Sequence, residues 1–171
     1  LPKRQPNLKA DGAYLVTGGL GGVLQQVSRW MVANGAKRLI LTSRRGLSGA
    51  NEQQQEFVKE LQNQGVTVEV VAVDVCDLEA MRAVMSSAPI AGIVHGAGVM
   101  TMETLDTLTT PELAKVLAPK VQGSLNLHSL SAGLELDFFV MFSSISAVWG
   151  SNQLAHYAAA NIFCDALASH R

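Results

Sequence analysis

Continuous apolar runs alternate with helical patterns five times along this chain, and no other sequence feature restricts the fold as strongly. Strands that are apolar throughout, rather than on alternate residues, belong to a parallel sheet covered by helices on both faces. We therefore predict an α/β fold with a doubly wound parallel sheet in the strand order 3-2-1-4-5. The predicted strands lie at 13–17, 38–42, 66–73, 91–94 and 137–142.

The intervening segments show apolar residues at helical spacing. In the first of them, Val23, Val27, Trp30 and Met31 are predicted to form the buried stripe. Pro119 is expected to kink or divide the long fourth helix, because proline removes a helical hydrogen bond. The predicted helices cover 23–34, 51–64, 78–86, a stretch from Thr109 or Thr110 to about 131, and 152–170.

A glycine-rich turn, TGGLGG at 17–22, follows the first predicted strand and opens a helix. Glycines let the backbone approach a pyrophosphate closely, and the free N–H groups of the helix start attract it. The turn therefore predicts a Rossmann-like dinucleotide site in a crevice beside strands 1 and 4. Leu24 stands where a third glycine would let the helix pack closely on the strand. A tight turn without a ligand is therefore the alternative.

The end of the second strand indicates which dinucleotide binds. An acidic residue there would bind the ribose 2′-hydroxyl of NAD, whereas this chain has Ser43, Arg44 and Arg45. Two guanidinium groups and a hydroxyl suit a 2′-phosphate, so we predict NADPH as the cofactor. The alternative, a solvated loop charge, is expected to hold for at least one arginine, and we assign it to Arg45.

Residues after strands 3 and 4 complete the predicted cofactor site. Asp74 could accept the adenine amino group, and a helix-capping role is a comparable alternative. Gly96 and Gly98 would let the adenosine ribose lie against the backbone. The candidate cofactor-contact residues are Thr17, Gly18, Gly19, Leu20, Gly21, Gly22, Ser43, Arg44, Asp74, Val75, His95, Gly96, Ala97 and Gly98.

Composition excludes several classes of partner. A chain of 171 residues with 48% apolar and 16% charged residues is typical of one globular domain. A net charge of −1 gives no reason to expect a nucleic acid or a membrane surface as partner. Cys76 and Cys164 are interpreted as core thiols in a reducing compartment, so we expect a cytoplasmic location. No membrane span, signal peptide or metal-ligand spacing is found.

The domain is predicted to occupy 12–171, after a linker at 1–11 that is rich in Pro, Lys and Asn. The four histidines, His95, His128, His156 and His170, are interpreted as structural or exposed. No internal repeat or further domain boundary is visible within 12–171.

A hydroxyl, a phenol and an amide recur at suggestive spacing near the C-terminal end. Ser144 ends the fifth apolar run, thirteen residues before Tyr157. Tyr157 and Asn161 are four residues apart, so they lie on one face of a helix. A hydroxyl at a strand end would then face a phenol on a helix, an arrangement that can handle a carbonyl oxygen.

These motifs together resemble the ketoreductase domain of modular polyketide synthases, within the short-chain dehydrogenase/reductase superfamily. The resemblance runs from about Gly12 to Arg171. It rests on YLVTGGLGG (14–22), SRRG (43–46), DVCD (74–77), GIVHGAGV (92–99), PKVQGSLNL (119–127), FFVMFSS (138–144) and YAAAN (157–161).

The resemblance implies a catalytic tetrad of Lys120, Ser144, Tyr157 and Asn161. Ordinary superfamily members use Tyr-x-x-x-Lys, and in the polyketide branch the lysine and asparagine have exchanged positions, as they have here. Tyr157 would be the acid that meets the carbonyl oxygen, with Lys120 favouring its phenolate. Ser144 would donate a hydrogen bond to the same oxygen. Asn161 would hold Lys120 or a relay water.

The resemblance also implies a product configuration. The segment 99–102 lacks the family's acidic pair, and Trp149 stands eight residues before Tyr157, which marks the A-type with an L-β-hydroxy product. Leu154 occupies the position where the epimerising subtype has histidine, so no epimerisation is expected. The alternative for Trp149 is that it only packs the loop.

The substrate implied by the resemblance is a β-ketoacyl thioester on an acyl carrier protein, with other domains of the same synthase as partners. In the family this half continues into another strand and a lid, so the fold is expected to be truncated at its C-terminal end. Two alternatives are a reductively inactive module that serves assembly, with Leu24 as its support, and a free-standing dehydrogenase of small alcohols.

Overall fold

The structure, a computed structural model, describes residues 8–171. The predicted linker at 1–11 falls largely on 1–7, which lie outside the described residues. Its last residues contact the domain: Leu8 is buried in the core, and its N–H donates to the carbonyl of Asn34 at 3.0 Å.

The predicted fold class is confirmed. Five parallel strands form one sheet in the order β3-β2-β1-β4-β5, as the sequence predicted. The strands are β1 (Ala13–Thr17), β2 (Arg38–Ser43), β3 (Thr67–Ala72), β4 (Ile90–His95) and β5 (Phe138–Met141). The helices are α1 (Gly22–Ala33), α2 (Glu52–Asn63), α3 (Leu78–Ser86), α4 (Thr110–Leu130), α5 (Ser146–Trp149) and α6 (Ala155–His170).

The centre of the sheet is β1, which pairs with β2 on one side and with β4 on the other. At its carboxyl end Thr17 stands opposite Thr42 of β2 and opposite His95 of β4. The chain leaves β1 and β4 toward different helices, so a crevice opens between their carboxyl ends. This register places the glycine-rich turn next to the segment that follows β4.

Burial differs between the central and the edge strands. Every residue of β1 and of β4 is buried, as a continuous apolar run predicts. The edge strands β3 and β5 are only partly buried, because each has a neighbour on one side among the described residues. Burial of the strands thus decreases from the centre of the sheet to its two edges.

The predicted apolar stripe of α1 is right in part. Met31 is buried and Val27 is partly buried against the core, whereas Val23 and Trp30 are 59% and 48% exposed, and Leu24 and Ser28 are buried in their place. The register was hidden because a serine occupies a core position. Its hydroxyl donates to the carbonyl of Leu24 at 2.8 Å, so the polar group is satisfied without water.

Two helix boundaries also differ from the prediction. The helix α4 runs unbroken past Pro119, so the predicted division there is wrong, and a kink stays a prediction. The loop expected after β5 contains the single helical turn α5, and α6 begins at Ala155 rather than at 152. Short helical turns lack the repeated apolar spacing that reveals a longer helix.

Within residues 8–171, no helix combines the length and the apolarity that a membrane crossing requires.

A buried phenol connects the amino ends of the strands to the segment before β5. The hydroxyl of Tyr14 donates to Asp137 at 2.8 Å and accepts from the N–H of Lys9 at 2.7 Å. The ammonium of Lys9 completes the group with an ion pair to Asp137 at 2.7 Å. Burial and the Asp137 carboxylate raise the pKa of Tyr14 to about 12.

This raised pKa predicts a loss of stability in alkaline solution. Since an unfolded tyrosine titrates near 10, the folded chain holds the Tyr14 proton more tightly, and stability falls as pH rises from about 10 toward 12. In Tyr14→Phe that fall should become shallower, leaving the part that comes from Lys9, whose pKa Asp137 also raises, while at pH 8 the variant should be about 1 kcal/mol less stable because Asp137 loses a donor. Urea unfolding between pH 8 and 11.5 measures both, and an equal alkaline slope in the two proteins would contradict this account.

Candidate active site

A cavity of about 890 Å³ occupies the crevice at the carboxyl ends of β1 and β4. It contains eleven of the predicted cofactor-contact residues. These are Gly18, Leu20, Gly21, Gly22, Ser43, Arg44, Asp74, Val75, Gly96, Ala97 and Gly98. The segments that follow β1, β2, β3 and β4 thus meet in one site, as parallel strands require.

The glycine-rich turn is shaped to admit a bulky anionic group. Gly18 has φ +68°, and a β-carbon there would lie 3.0 Å from the backbone of Ala97. A β-carbon at Gly22 would meet nothing within 4 Å, so the turn faces open space. The start of α1 has no side-chain cap, which leaves its N–H groups for a pyrophosphate. The residues present therefore fit a dinucleotide.

The end of β2 supplies positive charge to the same cavity. Ser43, Arg44 and Arg45 all line it, and both arginines are exposed. We expected Arg45 to be only a solvated loop charge, but its position does not separate it from Arg44. Its stem packs on Gly49 on the cavity wall. Two guanidinium groups are thus available where a ribose 2′-phosphate would lie.

Of the two roles predicted for Asp74, the helix-capping role belongs to a different residue. The cap of α3 is Asp77, whose Oδ1 accepts from the N–H of Ala80 at 3.0 Å. Asp74 instead accepts from the N–H of Cys76 at 2.9 Å and lines the cavity. Its carboxylate shapes the turn after β3 and faces the cofactor site.

Leu24 is accommodated by a glycine in the segment that follows β4. The Leu24 side chain is buried, and a β-carbon at Gly96 would lie 2.5 Å from its Cδ2 atom. The leucine thus fills the space that a side chain at 96 would need, and both residues line the cavity. The missing third glycine is therefore compensated across the crevice.

Three predicted cofactor-contact residues do not line the cavity. Gly19 packs on the sheet, where a β-carbon would lie 2.9 Å from the carbonyl oxygen of Val16. Thr17 and His95 are fully buried behind the turn, with Thr17 Oγ1 2.6 Å from His95 Nδ1.

The predicted lysine lies beyond the Gly98 end of the cavity. Lys120 is buried, and its ammonium donates to the carbonyl oxygen of Phe142 at the end of β5. Gly98 lies against the lysine stem, since a β-carbon there would be 3.1 Å from Lys120 Cε. Burial lowers the pKa of Lys120 from the usual lysine value. One ammonium thus stands between the cofactor cavity and the segment after β5 that carries Ser144.

Neighbouring serines fix the candidate catalytic hydroxyl. Ser144 Oγ accepts from the N–H of Ser146 at 3.2 Å and from its hydroxyl at 2.9 Å. With both bonds accepted, the proton of Ser144 is left to donate. Ser143 donates to the carbonyl of Asn161 at 3.3 Å, which ties this loop to α6.

The phenol and the amide lie one turn apart on α6, as predicted. Tyr157 is partly exposed, whereas Asn161 is fully buried. The Nδ2 atom of Asn161 donates to the carbonyl of Tyr157 at 2.7 Å. Its Oδ1 atom has no hydrogen-bond partner among residues 8–171. A buried acceptor without a partner suits an ammonium or a bound water.

The two residues predicted to control stereochemistry flank this site. Trp149 ends α5 and is 82% exposed, and its role in setting the product configuration stays a prediction. Leu154 directly precedes α6 and is partly buried. Between them Gln153 adopts a positive φ of 58°, and its carbonyl accepts from the N–H of Glu103 at 2.9 Å.

Several contributors were not predicted from the sequence. Ser143 and Ser146 had no assigned role, because only the structure shows their partners. Gln54 lines the cavity and donates to the carbonyl of Leu20 at 2.9 Å. In the sequence it stands only as a polar residue at the start of a predicted helix. Lys115 lines the cavity one turn before Pro119, at a position that reads as a solvated helix face.

Comparison with known proteins shows which family the chain belongs to. The KR domain family model matches residues 12–171. The chain belongs to the KR domain family. The lovastatin diketide synthase of Monascus pilosus is 40% identical over 170 residues, which cover 96% of this KR domain chain and 6% of that synthase. The squalestatin hexaketide synthase of a Phoma species is 41% identical over 175 residues, covering 100% of the chain and 7% of that protein.

Solved structures agree with this assignment. A structure of A-type ketoreductases from a modular polyketide synthase superposes on the KR domain chain with a TM-score of 0.92 at 39% identity. An A1-type ketoreductase gives a TM-score of 0.92 at 40% identity. Each match covers 100% of this chain and 37% of the solved chain.

The contact between Leu24 and Gly96 generates a stability prediction. Gly96→Ala should cost about 1–3 kcal/mol because its new methyl group overlaps the leucine. In the Gly96→Ala/Leu24→Ala double variant that overlap is relieved, so the stability losses of the two single variants should sum to more than the loss in the double variant. Urea unfolding of the wild type, Gly96→Ala, Leu24→Ala and the double variant measures this coupling. Gly22→Ala, in the same turn with nothing within 4 Å, is the control and should change stability by less than about 0.5 kcal/mol. Additive losses would contradict the contact.

Proposed function

We propose that this KR domain reduces a β-ketoacyl thioester, carried on an acyl carrier protein, to the β-hydroxyacyl form with NADPH. The observation that carries the proposal is the buried Lys120 ammonium. It lies between a cavity that fits a dinucleotide and the strand end that bears Ser144. The buried, unpaired Oδ1 of Asn161 supports the same assignment.

The chain's own residues would hold the cofactor by position and charge. Gly18, Gly21 and the uncapped start of α1 would take the pyrophosphate. Arg44 and Arg45 would pair with a 2′-phosphate, which NADPH has and NADH lacks. When bound, NADPH supplies the hydride that goes to the ketone carbon.

Proton delivery falls to Tyr157. Negative charge grows on the ketone oxygen during reduction, and the phenol donates its proton to that oxygen. The buried ammonium of Lys120 would stabilise the negative charge that the phenol takes on as it gives up that proton. Asn161 would hold that ammonium, or a relay water, through its free Oδ1.

Ser144 stabilises the same developing charge. Because its Oγ already accepts two hydrogen bonds from Ser146, its own proton points to a further acceptor. A ketone oxygen placed between this hydroxyl and the phenol would receive two hydrogen bonds that strengthen as charge develops.

The product is proposed to have the L configuration, without epimerisation at the α-carbon. Trp149 stands exposed beside the site, and residues 99–102 carry no acidic pair. Leu154 cannot take or give a proton, so it offers no base for epimerisation. The similar structures described as A-type and A1-type support this assignment.

A polyketide synthase is the proposed setting, since several similar proteins are described as polyketide synthases. The acyl carrier protein and the other domains of the same synthase would be the partners. The alternative of a reductively inactive assembly module was based on Leu24. The packing of Leu24 against Gly96 on the cavity wall is the reason that we favour the active enzyme.

Loss of the phenol hydroxyl tests the function. The full-length protein should oxidise NADPH when given a β-ketoacyl N-acetylcysteamine thioester, and Tyr157→Phe should lower kcat about 10²- to 10⁴-fold because the proton donor is removed. Absorbance at the NADPH band follows the rate. Tyr14→Phe removes the same atom at the far end of the sheet and should keep kcat within about twofold. An unchanged rate in Tyr157→Phe would identify a different acid, and no turnover in the wild-type protein would refute the function.

Charge at the end of β2 should decide between the two dinucleotides. In Arg44→Ala/Arg45→Ala the Kd of NADPH should rise about 10- to 100-fold, because charge-assisted hydrogen bonds to the 2′-phosphate are lost. The Kd of NADH should change less than about threefold. Nicotinamide fluorescence measures both, and Lys59→Ala controls for net charge away from the cavity. Equal weakening of the two dinucleotides would contradict the assignment.

A further inference from the structure

The fully buried His95 closes a ring of contacts around Lys120. Its Nε2 lies 3.0 Å from the carbonyl oxygen of Pro119, the residue before the lysine. The lysine ammonium donates to the carbonyl of Phe142. The N–H of Phe142 donates back to the carbonyl of His95 at 2.9 Å. One residue of β4 thus holds both the helix that carries Lys120 and the strand end that receives its ammonium.

The partners of His95 determine its tautomer. A carbonyl oxygen can only accept, so Nε2 carries the proton and donates to Pro119. The Nδ1 atom is then an acceptor, and Thr17 donates to it at 2.6 Å. The Thr17 hydroxyl in turn accepts from the N–H of Ala97 at 3.4 Å. The imidazole therefore joins α4 to the turn that begins the cofactor site.

A neutral imidazole is required beside a buried ammonium. Burial and the charge of Lys120 lower the pKa of His95 to about 4, so the ring is uncharged at neutral pH. Hydrogen bonds at both nitrogens, to Thr17 and to the carbonyl of Pro119, hold the ring in one orientation. Neither nitrogen is left to contact a substrate, because both are already bonded.

We propose that His95 is a positioning residue, which fixes Lys120 through the hydrogen bond from Nε2 to the carbonyl of Pro119. The bond sets the start of the lysine side chain on α4, and the Phe142 carbonyl sets its end. The proposal rests on the proposed function of Lys120 as the cation that assists Tyr157. It adds a residue of β4 that acts through the lysine, without touching the reacting atoms.

Two matched variants separate the bond between Nε2 and Pro119 from the other contacts around Lys120. His95→Gln places an amide near the position of Nε2, where it can still donate to Pro119. His95→Asn places the amide near Nδ1, where it reaches Thr17 but not Pro119. Both variants are neutral, polar and lack the imidazole ring, so they differ mainly in which partner they keep.

In the full-length protein, His95→Asn should lower kcat about 100-fold, the cost of displacing a catalytic group by about 1 Å. His95→Gln should stay within about threefold of the wild type. The Kd of NADPH should change less than threefold in both, since neither nitrogen lines the cavity. Equal losses in the two folded variants, or full activity in His95→Asn, would overturn the proposal.

A second readout does not depend on turnover. Acetic anhydride should label the buried Lys120 slowly in the wild type and in His95→Gln, and at least tenfold faster in His95→Asn. Mass spectrometry measures the rate, with the exposed Lys59 as internal reference. If the wild type shows no reductase activity, the proposed function fails, and the labelling pattern alone decides whether His95 fixes Lys120. Equal labelling in all three proteins would overturn the inference.

Thermal unfolding establishes that each variant is folded. If only His95→Asn fails to fold, His95→Gln decides alone: wild-type kcat and slow labelling support the proposal, and a loss above tenfold overturns it. Failure of both variants to fold would also overturn the proposal, since the imidazole of His95 would then be needed for folding rather than for placing Lys120.

Discussion

The pairing of β1 with both β2 and β4 is the constraint on which the site depends. It brings the carboxyl ends of three strands to one edge, with a crevice where the connections leave β1 and β4 in different directions, and β3 joins this edge by pairing with β2. The glycine turn, the arginines and the segment 95–98 come together there although they are far apart in sequence. Pairing β4 with β5 then places Ser144 at the same edge.

Much of this arrangement could be predicted, because its signals are local. Apolar runs identified the five strands, and glycines after β1 identified the turn. Four-residue spacing placed Tyr157 and Asn161 on one helix face. The burial of α1 could not be read in the same way, because Ser28 satisfies its hydroxyl inside the core and breaks the apolar pattern. The one-turn helix α5 was equally invisible, being shorter than a helical repeat.

Contacts between segments that are distant in the chain could not be predicted from the sequence either. Leu24 looked like a defect in the turn until Gly96 was found opposite it, 72 residues later in the chain. Ser143 and Ser146 looked like bystanders, yet they hold α6 and Ser144 in place. Such pairs depend on the register between strands and on side-chain rotamers, and neither can be predicted from the spacing of residue types.

We propose that one edge of the sheet brings a hydride donor to a ketone beside Tyr157. A single turnover of the full-length protein, with NADPH that carries deuterium at both C4 positions of the nicotinamide, tests this directly. Mass spectrometry after chiral separation should find deuterium at the β-carbon of an L-configured hydroxyacyl product. A product without deuterium at that carbon, or no product, would refute the proposed function.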